Sequence, residues 1–331
     1  MKAIIFERYG SPLDVLKVAD VEKPIPMGHE VLIKVRAAAV NPADYQLARG
    51  DVRFAFRPKY NGVGYDFAGR VEAVGNKVTR FKLGDEVFGA CSRAPLTKSK
   101  ASWVFDFGSF AEYTLTYEGA LALKPDNLTY EQAAAVPTNA WVALQGLRNH
   151  GKIQPGQKVL ISSATGGIGT LAVQIAKVFD TEVTGVCSTK NVELVKSLGA
   201  DTVIDYTKED YTKQGRRYDL IFDSVAEHSL FALRRIVNSG GKVVFVGVKL
   251  KDVKPVSLFF LTRLFLAIVL PNVVFDSTRP NAEDLVLLSD FLAAGKIKPV
   301  IAKNFNGLAE VPKAIQYLKD GHVWGKVVVT I

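Results

Sequence analysis

Cysteine and histidine are scarce in this sequence: 331 residues contain two cysteines, Cys91 and Cys187, and four histidines. Two cysteines cannot build a disulfide framework or a four-cysteine zinc site. His150, His228 and His322 lie far apart with no ligand spacing. The triplet Gly28-His-Glu30 falls in the turn before a strand and reads as a loop histidine. Long apolar runs are missing as well. The stretch Val256 to Leu270 is shorter than the roughly 20 residues that cross a bilayer, and Arg263 interrupts it. Pro255 and Pro271 bracket it as helix boundaries. It reads as a core helix or subunit contact, with a lid over an apolar substrate site or a monotopic membrane contact as alternatives.

Other absences narrow the function. Met1 to Phe6 reads as a strand, without the charged start, apolar core and small-residue cleavage site of a secretory signal. A cytoplasmic location is therefore expected. The net charge is +9, but the basic residues are scattered apart from small groups such as Lys98 with Lys100, and Lys249 with Lys251 and Lys254. No basic helix and no aromatic-basic interleaving points to nucleic-acid recognition, so no specific nucleic-acid partner is expected.

What is present is concentrated between Lys158 and Lys177. Val159, Leu160 and Ile161 form a short apolar run suited to a strand covered on both faces. The turn Ala164-Thr165-Gly166-Gly167-Ile168-Gly169 follows, and apolar residues then recur at helical spacing from Ile168. A helix that begins at such a turn aims free N–H groups at its ligand, and a pyrophosphate suits that geometry. In the register of a dinucleotide-binding turn, Ala164 stands at the first glycine, so the motif alone is weak. Its context strengthens it. Glu182 to Ser188, Thr202 to Tyr206, Tyr218 to Ser224 and Lys242 to Val248 read as strands, with a helix over Asn191 to Leu198. Strands alternating with helices predict an α/β, Rossmann-type doubly wound parallel sheet.

The end of the second of these strands, Val186-Cys-Ser-Thr-Lys-Asn191, lacks the acid that binds a ribose 2′-hydroxyl in NAD enzymes. Ser188 can hydrogen-bond a 2′-phosphate and Lys190 can neutralise it, which favours NADP(H). The plainer reading of Lys190 is a solvated cation at a helix start. The flanks differ in kind: Val31 to Ala37, Phe67 to Gly75 and Gly84 to Gly89 are short strands and glycine turns, and Gly325 to Ile331 is one more strand. A β-rich domain over 1–125 and 277–331, with the nucleotide domain over 126–276 inserted into it, is the expectation.

An ordered set of motifs completes the reading. Asn41-Pro-Ala-Asp44, Gly64-Tyr-Asp-Phe-Ala-Gly69, Gly84-Asp-Glu-Val-Phe-Gly89, Gly108-Ser-Phe-Ala-Glu-Tyr113, the glycine turn, Leu198-Gly-Ala-Asp201 with Asp205-Tyr206, and Gly321-His322 with Gly325-Lys326 span nearly the whole chain. Together they resemble the medium-chain dehydrogenase/reductase superfamily, in its zinc-free quinone oxidoreductase branch. The resemblance implies a discontinuous GroES-like catalytic domain around a Rossmann domain, with the cofactor in the cleft between them. It also implies a homodimer joined through the last Rossmann strand, Val273 to Asp276. Zinc relatives place a cysteine at the Asn41 position and Gly-His-Glu at Gly64-Tyr65-Asp66; both are replaced here, so no metal is expected.

Further residues follow from the resemblance. Asn41 is placed to orient the nicotinamide or a substrate oxygen. Tyr45 and Tyr65 are candidate donors to a developing enolate, or else packing residues, and Asp44 and Asp66 hold loops. Tyr206 lies along the adenosine, and Val225, Val246, Gly247 and Val248 sit beside the cofactor. Val142 stands where relatives carry a cofactor-contacting threonine, and Thr138 or Asn139 could compensate. The expected chemistry is zinc-independent, NADPH-dependent reduction of a quinone or an α,β-unsaturated carbonyl. An NADPH-binding regulatory or interaction protein with a decayed site is the alternative, and a membrane-surface or RNA-associated protein that keeps the cofactor site for stability is a remoter one.

Overall fold

The computed structural model describes residues 1–51, 62–92, 108–246, 272–275, 278–321 and 323–331. The expectations for Gly247, Val248, Asp276, His322 and the apolar segment 256–270 lie outside the described residues. In chain order the strands are β1 (Lys2–Ile5), β2 (Lys17–Asp20), β3 (Glu30–Val40), β4 (Asp66–Val74), β5 (Glu86–Ala90), β6 (Tyr113–Tyr117), β7 (Leu121–Leu123), β8 (Lys158–Ile161), β9 (Glu182–Cys187), β10 (Thr202–Asp205), β11 (Tyr218–Asp223), β12 (Val237–Phe245), β13 (Val273–Phe275), β14 (Ile301–Asn306) and β15 (Lys326–Thr330). The helices are α1 (Pro12–Val15), α2 (Pro42–Arg49), α3 (Tyr130–Ala134), α4 (Pro137–Gln145), α5 (Gly167–Val178), α6 (Val192–Ser197), α7 (Leu230–Arg235), α8 (Ala282–Ala293) and α9 (Val311–Asp320).

The chain divides into two units: Met1–Trp141 with Arg279–Gly295 and Pro299–Ile331, and Val142–Thr278 with Lys296–Lys298. The first unit keeps residues beyond position 125, where the sequence places its boundary. Hydrogen bonds explain this: the Thr138 amide donates to Asp66, and Trp141 Nε1 donates to the Asn281 carbonyl at 3.0 Å.

The first unit is built on a sheet in the order β14-β15-β3-β4-β5-β7, with β6 also paired to β3. The long strand β3 is its spine. Its apolar residues Val31, Ile33 and Val35 alternate with exposed Lys34 and Arg36, and from Ala37 to Val40 every residue is buried. Phe67, Val71, Val87, Phe110, Val327 and Val329 join them in one core, against which Leu47 of α2 and Ile315 of α9 pack. C-terminal β15 lies antiparallel to β3, pairing Val327 with Val40. That pairing carries Lys326 to the end of β3, where Asn41 begins the next turn.

The second unit is a six-stranded parallel sheet in the order β10-β9-β8-β11-β12-β13. Counted from β8 this is the order of a doubly wound nucleotide-binding sheet, which reverses between β8 and β11. Leu160, Val186, Ile204, Ile221 and Val243 supply the core between sheet and helices. α5 is almost wholly buried from Gly169 to Ala176, including Gln174. Gln174 exchanges two hydrogen bonds with the Lys298 backbone, at 2.8 and 2.9 Å, and so holds 296–298 to this unit. β12 ends at Phe245 and starts at Val237, five residues before the expected Lys242.

Candidate active site and nucleotide turn

The nucleotide turn sits at the carboxyl end of β8, where the strand order reverses. Gly166 is the N-cap of α5 and offers no side chain to the helix end, so the first-turn N–H groups are left for a ligand. Ser163 takes a positive φ of 50° to make the turn. A Cβ on Gly169 would stand 2.0 Å from the Ser163 carbonyl oxygen, so helix and turn approach more closely than any side chain permits. Ala164 is fully buried at the first-glycine position. Its methyl fits because residue 185 of the neighbouring strand is glycine: a Cβ there would meet the Ala164 methyl at 3.1 Å and Val195 at 2.5 Å. Thr165, Gly166, Gly167 and Ile168 remain half-buried at the turn's open side. This cradle fits a pyrophosphate.

Around it, Asp223 ends β11 and organises the reversal point. Its Oδ1 accepts from Ser162 Oγ at 2.6 Å and from the Val225 and Ala226 amides at 3.0 Å each. Val225 therefore enters the site as part of an Asp223 turn, and its own amide is engaged. Val246 follows β12 and donates its amide to the Asp223 carbonyl at 2.8 Å.

At the end of β9, Ser188 is half-buried and its Oγ accepts from Asn191 at 3.3 Å, which leaves its own proton to give. Lys190 is exposed, and Tyr206 is 55% exposed, with its amide on the Cys187 carbonyl. The missing acid at the end of β9 has a neighbour that sequence reasoning passed over. Asp205 of β10 pairs in register with Cys187. Thr189 Oγ1, at 2.5 Å, and the Thr207 hydroxyl, at 2.7 Å, hold its carboxylate, and the Thr189 bond is the main reason its pKa falls to about 2. The acid is present, and two hydroxyls bind it.

The second cluster belongs to the first unit and is almost sealed. Asn41, Asp66 and Lys326 are 4%, 0% and 5% exposed. Asn41 ends β3 and precedes Pro42, the first residue of α2; its amide N–H donates to Asp44 Oδ2 at 2.7 Å. The Asn41 side chain turns to its neighbours. Its Oδ1 accepts from Lys326 Nζ at 2.8 Å, and its Nδ2 donates to Asp66 Oδ2 at 3.0 Å and to the Ala39 carbonyl at 3.4 Å. Lys326 Nζ also donates to the Val40 carbonyl at 3.1 Å and lies 3.6 Å from Asp66 Oδ2. Asp66 Oδ1 accepts from both the amide (3.1 Å) and the hydroxyl (2.5 Å) of Thr138, at the start of α4.

Burial sets the protonation of this cluster. Desolvation raises the Asp44 pKa to about 7 against the lowering effects of the Asn41 amide and the Lys326 charge. Burial lowers the Lys326 pKa, and the Asp66 and Asp44 charges oppose that fall. The Tyr65 phenol is pushed well up, by burial first and then by Asp44 and Asp66. Tyr65 is thus an inward group beside the two carboxylates. Gly64 before it has φ +100°, and a Cβ there would lie 2.3 Å from Ser109 Oγ. Tyr45 is half-buried on α2; its Oη accepts from Arg49 at 2.8 Å, and Lys319 lies 5.3 Å from its ring. The structure therefore joins Asn41 and Thr138 through Asp66, leaves the Tyr65 phenol within reach of that carboxylate's charge, and sets Tyr45 with Arg49. Val142 is 2% exposed and faces packing.

Two family models match this chain. One, described as alcohol dehydrogenase GroES-like domain, covers residues 27–126; the other, described as zinc-binding dehydrogenase, covers 198–329. The 2-methylene-furan-3-one reductase of Solanum lycopersicum is 38% identical over 333 residues, across 99% of this chain and 79% of its own length. The chain belongs to the medium-chain dehydrogenase/reductase superfamily, in its quinone oxidoreductase-like part. The superfamily's NADPH-dependent alkenal/one oxidoreductase from Arabidopsis thaliana chloroplasts is 36% identical, again over 99% of this chain and 79% of that one. Among solved members, the quinone oxidoreductase of Coxiella burnetii superposes with a TM-score of 0.83 at 30% identity, over 100% of this chain and 99% of that one.

Some members of this superfamily use zinc, as the description of the second family model records. The residues here do not fit it. The positions that resemble its ligand sites hold an amide, a phenol and one carboxylate, and that carboxylate already faces a buried ammonium group. Catalytic zinc takes three protein ligands drawn from imidazole, thiolate and carboxylate. Among the described residues no group of three or more His, Cys, Asp or Glu could hold a metal ion, and no helix is long and apolar enough to cross a membrane.

Proposed function

We propose that this chain is an NADPH-dependent reductase of α,β-unsaturated carbonyls and quinones. The observation that carries the reading is the glycine cradle at the reversal point of the parallel sheet, in a chain whose relatives at 38% and 36% identity are named for enone and alkenal reduction.

When bound, NADPH supplies a hydride from C4 of its nicotinamide. The protein's part is to hold it and to receive the charge that develops on the substrate. Gly166, Gly167, Ile168 and Gly169 would hold its pyrophosphate on backbone N–H groups, and Ser188 and Lys190 would take the 2′-phosphate. A simple ketone needs a strong Lewis acid to polarise its carbonyl. A conjugated carbonyl spreads the developing negative charge from the β-carbon to the oxygen, so one or two hydrogen-bond donors stabilise it. Tyr45, with its oxygen already accepting from Arg49, keeps its proton to donate. A balanced two-electron reduction would place that hydride on the β-carbon and a solvent proton on the α-carbon.

We also propose a homodimer. Among the described residues β13 is the last strand of its sheet, which leaves its outer edge for a second copy. Light scattering on purified protein should give twice the chain mass. The function itself is tested by the loss of NADPH absorbance against short enones, enals and quinones, with and without chelator. Turnover unaffected by chelator supports the reading. Tight NADPH binding with no turnover of any acceptor would replace it with a regulatory protein that keeps the cofactor site.

A further inference from the structure

The turn that follows β9 is tied to the end of β10 by one carboxylate. Asp205 pairs in register with Cys187, and the Tyr206 amide donates to the Cys187 carbonyl at 3.0 Å, so the two strand ends run side by side. Asp205 is 9% exposed, and both of its carboxylate oxygens are engaged. Oδ2 accepts from the Thr189 hydroxyl at 2.5 Å, with Lys208 Nζ 3.5 Å away. Oδ1 accepts from the Thr207 amide at 3.0 Å and from its hydroxyl at 2.7 Å. Thr189 lies between Ser188 and Lys190, in a single turn closed by the Asn191 amide on the Ser188 carbonyl at 2.9 Å. Thr189 and Lys190 are exposed and Ser188 is half-buried, so this short turn has little packing of its own. The Thr189 hydroxyl, held by Asp205 and 3.0 Å from that of Thr207, is what fastens it to β10. All of these residues belong to the second unit, with the glycine cradle. The Ala164 amide joins that cradle to the Val186 carbonyl of β9 at 2.9 Å.

We propose that Asp205 is the positioning residue behind the preference for NADP(H): through Thr189 it locks the turn after β9, and so fixes the backbone that carries Ser188 and Lys190 to the 2′-phosphate. The proposal rests on the NADPH reading above. Two effects of Asp205 oppose one another. Its charge repels a phosphate, and an acid near this strand end is what NAD enzymes use to hold a ribose hydroxyl. Its hydrogen bonds, on the other hand, order in advance a turn that would otherwise lose conformational freedom when the cofactor binds. The arrangement of the carboxylate decides between them. Both oxygens are occupied, an ammonium group stands beside one of them, and the side chain is turned into the fold. The repulsion is therefore muted and the lock prevails: a carboxylate favours the cofactor that carries the extra phosphate.

The test compares the wild type with Asp205→Ala, Thr189→Val and Thr189→Ser, by fluorescence titration with NADPH and with NADH, and by amide hydrogen exchange without cofactor. On electrostatics alone, removing an acid from the neighbourhood of a phosphate strengthens binding. The expected result is the opposite: Asp205→Ala weakens NADPH binding about tenfold or more and changes NADH binding by less than about twofold. Thr189→Val loses the lock and frees the acid as well, so it weakens NADPH at least as much. Thr189→Ser keeps the hydroxyl and stays within about threefold of wild type. With no cofactor present, the Asn191 amide exchanges faster in Asp205→Ala and Thr189→Val than in the wild type. Thr189 is exposed, so its variants fold. Should Asp205→Ala fail to fold, Asp205→Asn with Thr189→Val lacks both charge and lock and is expected to bind NADPH as weakly. NADPH binding in Asp205→Ala as tight as in the wild type, or tighter, would overturn the proposal. Equal weakening of both cofactors would do the same, as would wild-type exchange at Asn191. A wild type that binds NADPH and NADH alike would instead defeat the NADP(H) reading itself, and the proposal with it.

Discussion

At the residue scale, the site is governed by what is buried with what. Asp44 shows this most plainly, because burial lifts its pKa to about 7. A carboxyl that holds its proton more tightly folded than unfolded stabilises the fold fully below its unfolded pKa of about 4, and that contribution is lost as pH rises through about 7. Relative to Asp44→Asn, the wild type should therefore lose roughly 5 °C of Tm between pH 4 and pH 7, and no more above that. Parallel melting curves would contradict the assignment. Lys190 gives a second residue-scale test. Lys190→Glu should raise the KM for NADPH about tenfold or more and leave that for NADH nearly unchanged, since it sets a carboxylate against the 2′-phosphate. Equal effects on both cofactors would return Lys190 to the solvated surface. Releasing Asp205 by Thr189→Val should act in the same direction, by freeing an acid that two hydroxyls now occupy.

Much of this residue chemistry was beyond the sequence. Asn41, Tyr65 and Asp66 are legible as a departure from a zinc site, because residue type at a motif position carries that information. Lys326 is 285 residues from Asn41, and only the antiparallel pairing of β15 with β3 brings the two together. Asp205 is hidden from the sequence for the same reason: it is adjacent to Cys187 by strand pairing and not by chain order.

At the scale of elements, the glycine turn was the most legible part, since strand, turn and helix follow one another in the chain with local signals. Its strand limits hold within a residue or two over β8, β9, β10 and β11. β12 was harder, because Asn238, Ser239, Gly240 and Gly241 carry no strand pattern, and Val237 reaches Tyr218 across a register shift. The turn also separates folding from binding. Gly169→Ala drives a methyl into the Ser163 carbonyl and should destabilise by about 2 kcal/mol, lowering Tm before any cofactor is added. Gly166→Ala meets the Ser163 hydroxyl at 3.3 Å and its carbonyl oxygen at an ordinary 3.6 Å, and should fold normally while weakening NADPH binding. Equal melting temperatures for the two would mean that helix and turn do not approach as closely as the structure shows.

At the scale of the whole molecule, the discontinuous organisation followed from the last strand, which had to pair with the first domain. The position of the first boundary did not, because Thr138 and Trp141 join the first unit by hydrogen bonds that no composition shift announces. Asn41, Asp66 and Lys326 occupy the part of the fold where zinc relatives resemble this chain at their ligands, and the chemistry expected of the molecule is reduction of a conjugated double bond, with the carbonyl left intact. The most direct test is to reduce a short enone with NADPH deuterated at C4 and locate the label in the product. The account predicts one deuterium at the β-carbon, a solvent hydrogen at the α-carbon and an unreduced carbonyl. Deuterium on the carbonyl carbon, with an allylic alcohol as product, would contradict it.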